Sequence, residues 1–439
     1  MELKNKHSLP LRGKKVAILG FGMEGRDLLS YLTINGANAT VLDKKTEEEL
    51  GLKGEDLQGA KFVTGEEYFK NLGQFEIIFR SPGVYRYLPE IVEAEEEGAQ
   101  ISSATKLFIE LCPAKIIGVT GTKGKGTTAS LIYEILKKGS EDVYLAGNIG
   151  KPYLELLKKL TSKSIVVMEL SSFQLIDINQ SPDISVVVNV DQDHLDWHKD
   201  ISEYIDAKLN IVRFQSKEGL AVLSQHDKHL KEFEDAAGGE VVYFSKDRID
   251  EKYKSAISLP GSHNVENVAA AVVVAKKLGV PEKDIVSAIK DFKGLEHRLE
   301  FVRKVEKVSF YNDSFATGPR PTVAAINSFD ENMTLILGGS DKGHGFGELA
   351  EAVVSNKNVN CIILIGEIRK RIAEALTKAG FQGSIIDKGQ STMDEIVETS
   401  FKETSEGGVV VLSPAAASFD MFENYKERGV KFKEAVKNL

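Results

Sequence analysis

With 439 residues, 42% of them hydrophobic and 28% charged, the chain has a globular composition but is too long for one ordinary core, so two or three domains are expected. A net charge of −9 argues against a polyanionic partner such as nucleic acid, while leaving room for a small phosphorylated ligand held by local donors. No run approaches the roughly 18 apolar residues that span a bilayer, MELKNKHSLPLRGKK lacks the apolar stretch of a signal sequence, and the two cysteines, Cys112 and Cys361, show no metal-ligand spacing, so a reducing, cytoplasmic setting without membrane attachment is expected; a monomer is the separate expectation for its assembly.

The first region opens with a short apolar run, Lys15–Leu19, followed by Gly20-Phe21-Gly22-Met23-Glu24-Gly25 and an amphipathic stretch, Arg26–Leu32. Ala39–Asp43 and Glu76–Phe79 read as further buried strands. Strands alternating with helical segments indicate a parallel α/β sheet, assigned to residues 1–105. The glycine pattern with Asp43 at the end of the next strand would alone suggest a dinucleotide cofactor.

A second α/β region, 106–300, begins at Ile116–Val119 and continues through strands at Ser164–Met168 and Ile184–Val190 and a helix at Asn264–Leu278. The third, 301–439, has buried strands at Met333–Leu337, Cys361–Ile365 and Val409–Leu412. Ligands of such sheets bind beyond the carboxyl ends of the strands, so the residues after each apolar run are the candidates.

Thr120-Gly121-Thr122-Lys123-Gly124-Lys125-Gly126-Thr127 lies between a strand and the helical pattern Ala129–Leu136. Its glycines free backbone N–H groups for phosphate oxygens, Lys125 supplies mobile charge, and a hydroxyl beyond it can ligate magnesium. The strict P-loop pattern fails twice: Val119 replaces the first glycine, and Gly126 follows the lysine. The metal hydroxyl is then Thr127, Thr128 or water, with Thr127 the nearest on the helix side. Glu169, after the Ile165–Met168 run, is placed to hold magnesium, and His194 of Asp191-Gln-Asp-His-Leu-Asp-Trp-His198 could offer a ring nitrogen. Lys208, on the helix expected at Glu203–Phe214, is marked by no spacing rule.

These strings together resemble the Mur ligases of peptidoglycan synthesis, over essentially the whole chain. The markers are Glu169-Leu-Ser-Ser-Phe-Gln-Leu175, Gly147-Asn-Ile-Gly150, Asp193-His-Leu-Asp196, Gly261-Ser-His-Asn264 with Asn267, and Leu412-Ser-Pro-Ala-Ala-Ala-Ser-Phe-Asp420. Glu169–Gln174 resembles the glutamate-adding branch rather than its sister ligases. The resemblance implies a Rossmann-like first domain, a P-loop ATPase-like middle domain and a Rossmann-like third domain. It implies ATP, two Mg2+ ions (Mn2+ as an alternative) and a carbamate on Lys208, with Thr127, Glu169, His194 and Lys208 as the metal set. UDP-N-acetylmuramoyl-L-alanine and D-glutamate are the implied substrates.

Residue by residue, the resemblance gives Gly121, Thr122, Lys123, Gly124, Lys125, Gly126, Thr127, Thr128, Asn264, Asn267, Arg298 and Asp313 to ATP. Asn148 would orient the substrate near the reacting phosphate. Gly22, Met23, Glu24, Asp43, Lys44, Lys45 and the turn Ser81-Pro82-Gly83 match the seat of the uridine diphosphate end, which favours UDP over NAD. Lys342, Thr317, Ser418, Phe419 and Tyr425 match the amino-acid pocket. Three departures stand out. Gly126 replaces the usual Ser or Thr, as in folylpolyglutamate synthetases; Phe315 replaces a lysine whose contact is missing or supplied by Arg320; and Ser224-Gln-His-Asp227 fits the family's Asn-x-Asp-Asp poorly. A folylpolyglutamate synthetase, an NAD-dependent dehydrogenase and a non-catalytic nucleotide switch are the rival readings, and closure about hinges near 105 and 300 is expected.

Overall fold

A computed structural model describes residues 11, 13–52, 59–139, 142–149 and 152–439. The chain divides into two compact units: the first runs to Ile257 and takes in Val265–Ile289, and the second comprises Ser258–Asn264 and Lys290–Leu439.

The first unit holds two all-parallel sheets. Strands β1 (Val16–Leu19), β2 (Ala39–Asp43), β3 (Lys61–Thr64), β4 (Ile77–Arg80) and β5 (Gln100–Ser102) lie in the order β3-β2-β1-β4-β5. The order reverses between β1 and β4, so the turns after these two strands flank the crevice where such sheets bind ligands. Strands β6 (Lys115–Thr120), β7 (Val143–Gly147), β8 (Ile165–Glu169), β9 (Ile184–Val187), β10 (Leu220–Ser224) and β11 (Glu240–Phe244) form the second sheet, in the order β11-β10-β9-β6-β8-β7. Every residue of β1, β4, β9 and β10 is buried, as expected where helices cover both faces of a parallel sheet.

Six helices of this unit matter for the site: α1 (Met23–Ile34), α2 (Ala104–Leu111), α3 (Lys125–Gly139), α4 (Ser172–Leu175), α5 (Ile201–Arg213) and α6 (His263–Lys277), the last crossing into the unit from the second. The boundary expected at 105 falls inside α2, where the Thr105 hydroxyl meets that of Tyr153 at 2.9 Å. The strand expected over Ile184–Val190 stops at Val187. Val190 N–H turns instead to the Asp227 carboxylate, and Asn189 faces the glycine loop.

The second unit contains one sheet, ordered β12-β13-β17-β14-β15-β16, from β12 (Glu300–Val305), β13 (Val308–Asn312), β14 (Met333–Gly338), β15 (Val359–Ile365), β16 (Ser384–Gly389) and β17 (Val409–Leu412). All pairs are parallel except the β12–β13 hairpin at one edge. The last helix, α7 (Tyr425–Asn438), buries Phe432, Ala435 and Val436 with the apolar face of β13, β15 and β17. The unit begins at Lys290, upstream of the boundary expected at Phe301, because Gly294–Leu299 packs within it. Leu299 N–H donates to Asp313 Oδ1 at 3.2 Å, and the Ser258 hydroxyl donates to the Phe292 carbonyl at 3.1 Å.

Candidate active site

The glycine loop leaves β6 as a buried strand end and returns as the first turn of α3, which begins at Lys125. Gly121 (φ +154°) and Gly124 (φ +81°) take backbone angles that L side chains avoid. A Cβ on Gly124 would lie 2.2 Å from Asn267 Oδ1. Asn189 holds the loop from both sides, accepting from Lys123 N–H at 2.9 Å and donating to the Lys123 carbonyl at 2.8 Å. The Thr122 hydroxyl is occupied by Asp191 N–H (2.8 Å) and the Tyr204 hydroxyl (2.8 Å). Thr128 is fully buried and donates to Asn267 Oδ1 at 3.2 Å, whereas Thr127 is half-buried.

Lys208 is 1% exposed. Asp200 caps α5, and the stripe Tyr204, Ile205, Lys208, Ile211, Val212 faces inward, so the lysine is carried into the protein by an apolar face. That stripe was the signal available in the sequence. Lys208 Nζ donates to the Gly121 carbonyl at 2.7 Å and lies 4.7 Å from the centre of the Tyr204 ring. Lys125 Nζ donates to the same Gly121 carbonyl at 3.0 Å and to that of Thr122 at 3.0 Å. Two amines therefore converge on one carbonyl oxygen. Burial, followed by the positive charge of Lys125, holds the Lys208 amine well below its ordinary range.

Glu169 ends β8 and is 3% exposed. Its carbonyl accepts from Asn148 N–H at 3.0 Å and its carboxylate from Asn148 Nδ2 at 3.4 Å, while Gly147 (φ +88°) leaves no room for a side chain against the Glu169 carbonyl. Gly150 of the Gly147–Gly150 string lies outside the described residues. His194 has φ +54°, a conformation unusual for a non-glycine residue, and its ring stands 4.8 Å from that of Phe173. Burial lowers its pKa, against the neighbouring Asp193. His198 was not singled out from the sequence. Its buried ring bridges Ser172 Oγ (2.9 Å) and Glu203 Oε1 (3.0 Å), and Glu203 Oε2 accepts from Tyr85 at 2.7 Å. Burial pushes the Tyr85 hydroxyl up to about 12.

Around the first sheet, Gly20 and Gly25 serve close packing. A Cβ on Gly25 would lie 2.3 Å from the Gly20 carbonyl oxygen, and one on Gly20 (φ +93°) 2.9 Å from Ser81 Cβ. Ser81 Oγ donates to that same carbonyl at 2.7 Å. Asp43 accepts from Phe21 N–H (2.6 Å) and Lys45 N–H (2.8 Å), so both oxygens brace the backbone. Gly22, Met23, Lys44, Lys45 and Gly83 are exposed, and Pro82 is half-buried. Glu24 accepts from the buried Gln174 amide at 2.7 Å, joining the first sheet's glycine motif to the Glu169–Leu175 segment. Burial pushes its carboxyl up to about 7 despite that bond.

In the second unit the loops after β13, β14 and β17 lie together. Arg428 is fully buried and donates to Ser314 Oγ (2.9 Å) and to the carbonyls of Ser314 (2.9 Å), Ala416 (3.1 Å) and Ala417 (3.1 Å). It thereby ties the Asn312–Thr317 loop to the Ala415–Ser418 string, a role not legible in the sequence. Thr317 is half-buried, Ser418 is buried, Phe419 is 71% exposed, and Lys342 is exposed in a turn in which Gly343 N–H donates to Asp341 at 2.8 Å. Asn264 donates to the Pro260 carbonyl at 2.7 Å. The Arg298 guanidinium stacks 3.9 Å above the Phe315 ring, whose edge meets Tyr425 at 5.1 Å, while Arg320 is exposed on the helix Pro319–Ile326.

Asp313 accepts from Ser413 Oγ at 2.7 Å and is buried, which pushes its carboxyl up to about 7 from the usual 3.8. Between those values the folded chain keeps a proton that the unfolded chain has lost, so this residue makes stability fall as pH rises from about 4 to about 7 and contributes no slope above that. Thermal melts at pH 5 and pH 8 should show a smaller drop for Asp313→Asn than for the wild type. Equal drops would refute the shift.

Against this geometry, three family models match in chain order. They are the Mur ligase MurD-like N-terminal domain over 14–103, the Mur ligase middle domain over 119–252, and the Mur ligase glutamate ligase domain over 297–416. The chain belongs to the Mur ligase family. Among curated relatives, the UDP-N-acetylmuramoylalanine–D-glutamate ligase of Acetivibrio thermocellus is 40% identical, over 99% of this chain and 98% of that protein. The enzyme of the same name from Clostridium tetani is also 40% identical, over 97% of each. The UDP-N-acetylmuramate–alanine ligase of Thermotoga maritima shares the fold with a TM-score of 0.57 at 17% identity, covering 97% of this chain and 99% of that one. These matches remove the dehydrogenase and folylpolyglutamate synthetase readings.

Proposed function

We propose that this enzyme joins D-glutamate to UDP-N-acetylmuramoyl-L-alanine at the expense of ATP, releasing ADP and phosphate in the cytoplasmic synthesis of peptidoglycan precursors. The observation that carries the chemistry is the pair of lysines, Lys125 and Lys208, meeting on the Gly121 carbonyl beside the buried Glu169. Two amines at one oxygen leave a place where anionic oxygen is favourable, and the positive φ of Gly121 and Gly124 gives the loop the strand-to-helix turn whose backbone N–H groups suit phosphate.

Region 1–105 takes the uridine diphosphate end of the substrate, 106–300 takes ATP, and 301–439 brings the amino acid. Thr127, Glu169, His194 and Lys208 as its carbamate would hold two magnesium ions. This set of hard oxygen donors plus one imidazole suits that metal, and manganese as a substitute. When bound, these ions supply positive charge at the phosphate oxygens and at the developing acyl phosphate. A buried amine held below its ordinary pKa is the form that adds carbon dioxide, losing a proton to become an anionic carbamate.

Lys125 swings from its two carbonyls to the transferring phosphate and neutralises it. Asn148 orients the L-alanyl carboxylate, whose oxygen attacks the terminal phosphorus to give an acyl phosphate and ADP. The uncharged amine of D-glutamate, its carboxylate paired with Lys342, then attacks the carbonyl carbon, and the tetrahedral intermediate gives up a nitrogen proton as the C–O bond breaks and phosphate leaves as hydrogen phosphate. Lys125 stabilises the oxygen charge in both steps.

The test is ADP release with UDP-N-acetylmuramoyl-L-alanine, offering D-glutamate, L-glutamate or no amino acid. Release that depends on both the UDP-sugar and D-glutamate is expected. Release independent of either would sink the assignment. The metal hydroxyl is separable by substitution, because Thr128 already serves Asn267. Thr127→Val should raise the magnesium needed for half-maximal activity roughly tenfold, while Thr128→Val should cost about 1 kcal/mol of stability and leave the magnesium titration unchanged. The reverse pattern would move the role to Thr128.

A further inference from the structure

Arg80 closes β4 immediately before the Ser81-Pro82-Gly83 turn, and its side chain has no exposed surface. Its Nη1 donates to the carbonyls of Ser81 (3.1 Å), Pro82 (3.4 Å) and Val84. Nη2 donates to the Phe173 carbonyl at 2.7 Å and to Asp177 Oδ2 at 2.5 Å, and Nε reaches the two Asp177 oxygens at 3.2 and 3.4 Å. The Asp177 side chain is 1% exposed and has Arg86 Nε at 3.5 Å.

A buried guanidinium needs both a paired carboxylate and acceptors for its remaining N–H groups. Those acceptors here are main-chain carbonyls of two separate segments, so Arg80 clamps a turn of the first sheet to the chain segment that follows Glu169 in the second. A planar fork can hold several acceptors in fixed directions, which a lysine ammonium, a compact charge on a flexible stem, cannot reproduce. The turn's other anchor is Ser81 on the Gly20 carbonyl, so through Arg80 both sides of the β1/β4 crevice share one register with Phe173.

We infer that Arg80, held by Asp177, is a positioning residue for the UDP-sugar substrate. It sets the spacing between the seat of the uridine diphosphate end and the segment that carries Glu169. The inference rests on the proposed function. The Arg80 donors go to Ser81, Pro82, Val84, Phe173 and Asp177, outside the Thr120–Thr128 loop proposed to grip ATP, so the two ligands should respond differently.

Full-length Arg80→Lys and Asp177→Asn distinguish positioning from general stability. Arg80→Lys is expected to raise KM and calorimetric Kd for UDP-N-acetylmuramoyl-L-alanine about tenfold or more, with KM for ATP within about twofold. Asp177→Asn keeps the fork on its carbonyls and should give a smaller rise, again confined to the UDP-sugar. Unchanged KM for the UDP-sugar in folded Arg80→Lys, or equal rises for both ligands, would overturn the inference. Hydrogen exchange on the wild-type protein serves if the variants do not fold. Saturating UDP-sugar should protect Ser81–Val84 and Phe173–Asp177 together, and protection of one segment alone would equally overturn it. Absence of substrate-dependent ADP release from the wild type would instead remove the functional reading itself.

Discussion

Lys208→Ala is expected to lower substrate-dependent ADP release by roughly three orders of magnitude or more, with partial recovery when short carboxylic acids are added. The side chain lies in a closed environment: Nζ is on the Gly121 carbonyl, the Tyr204 ring is alongside, and the α5 stripe surrounds its stem. Truncation leaves a space beside the glycine loop that a small carboxylate can enter in place of the proposed carbamate. Lys208→Met fills the stem volume without restoring charge, so it should be as inactive as the alanine variant and resist rescue. Activity within a few-fold of wild type in either variant would refute the carbamate role. Circular dichroism and a thermal melt check that loss of activity is not loss of fold.

Glu169→Gln should reduce kcat by about two orders of magnitude or more and move the magnesium requirement upward, with the fold unchanged. The substitution keeps the shape of a side chain whose carboxylate accepts a 3.4 Å hydrogen bond from Asn148, so little packing is disturbed. What it removes is the buried carboxylate at the end of β8, the strand beside the one that leads into the glycine loop. An amide retains one oxygen but neither the charge nor the second acceptor. A magnesium titration superimposable on that of the wild type would exclude Glu169 from the metal set. Comparing this variant with Thr127→Val also separates charge from a neutral hydroxyl ligand.

Much of this architecture was legible because parallel strands buried on both faces leave short, unbroken apolar runs, such as Val16–Leu19 and Val409–Leu412. The glycine loop was legible for a similar reason, since positive φ at Gly121 and Gly124 leaves few residues to choose from. The first glycine motif was legible but ambiguous. Gly20 and Gly25 answer to helix–strand packing, a demand that is the same whether the ligand is a nicotinamide dinucleotide or a uridine diphosphate. Lys208 escaped residue-by-residue reading because one charged residue looks ordinary until its four apolar neighbours on α5 are counted. Arg80 and Asp177, 97 positions apart, could not be paired from sequence at all, nor could Arg428 with Ser314. Such pairs are chosen by three-dimensional closure and leave no periodic trace. Phe315 shows the opposite case: its departure from the family lysine was visible, but its stacking beneath Arg298 was not.

Asn267 Oδ1 accepts from Thr128 and fills the volume where any side chain on Gly124 would have to begin, 2.2 Å from its Cβ position. A side chain at position 124 therefore requires residue 267 to be shortened first, and even then φ near +81° favours asparagine or aspartate over other L residues. Resistance mutations against a compound seated on this loop should accordingly arise in coupled pairs or away from it.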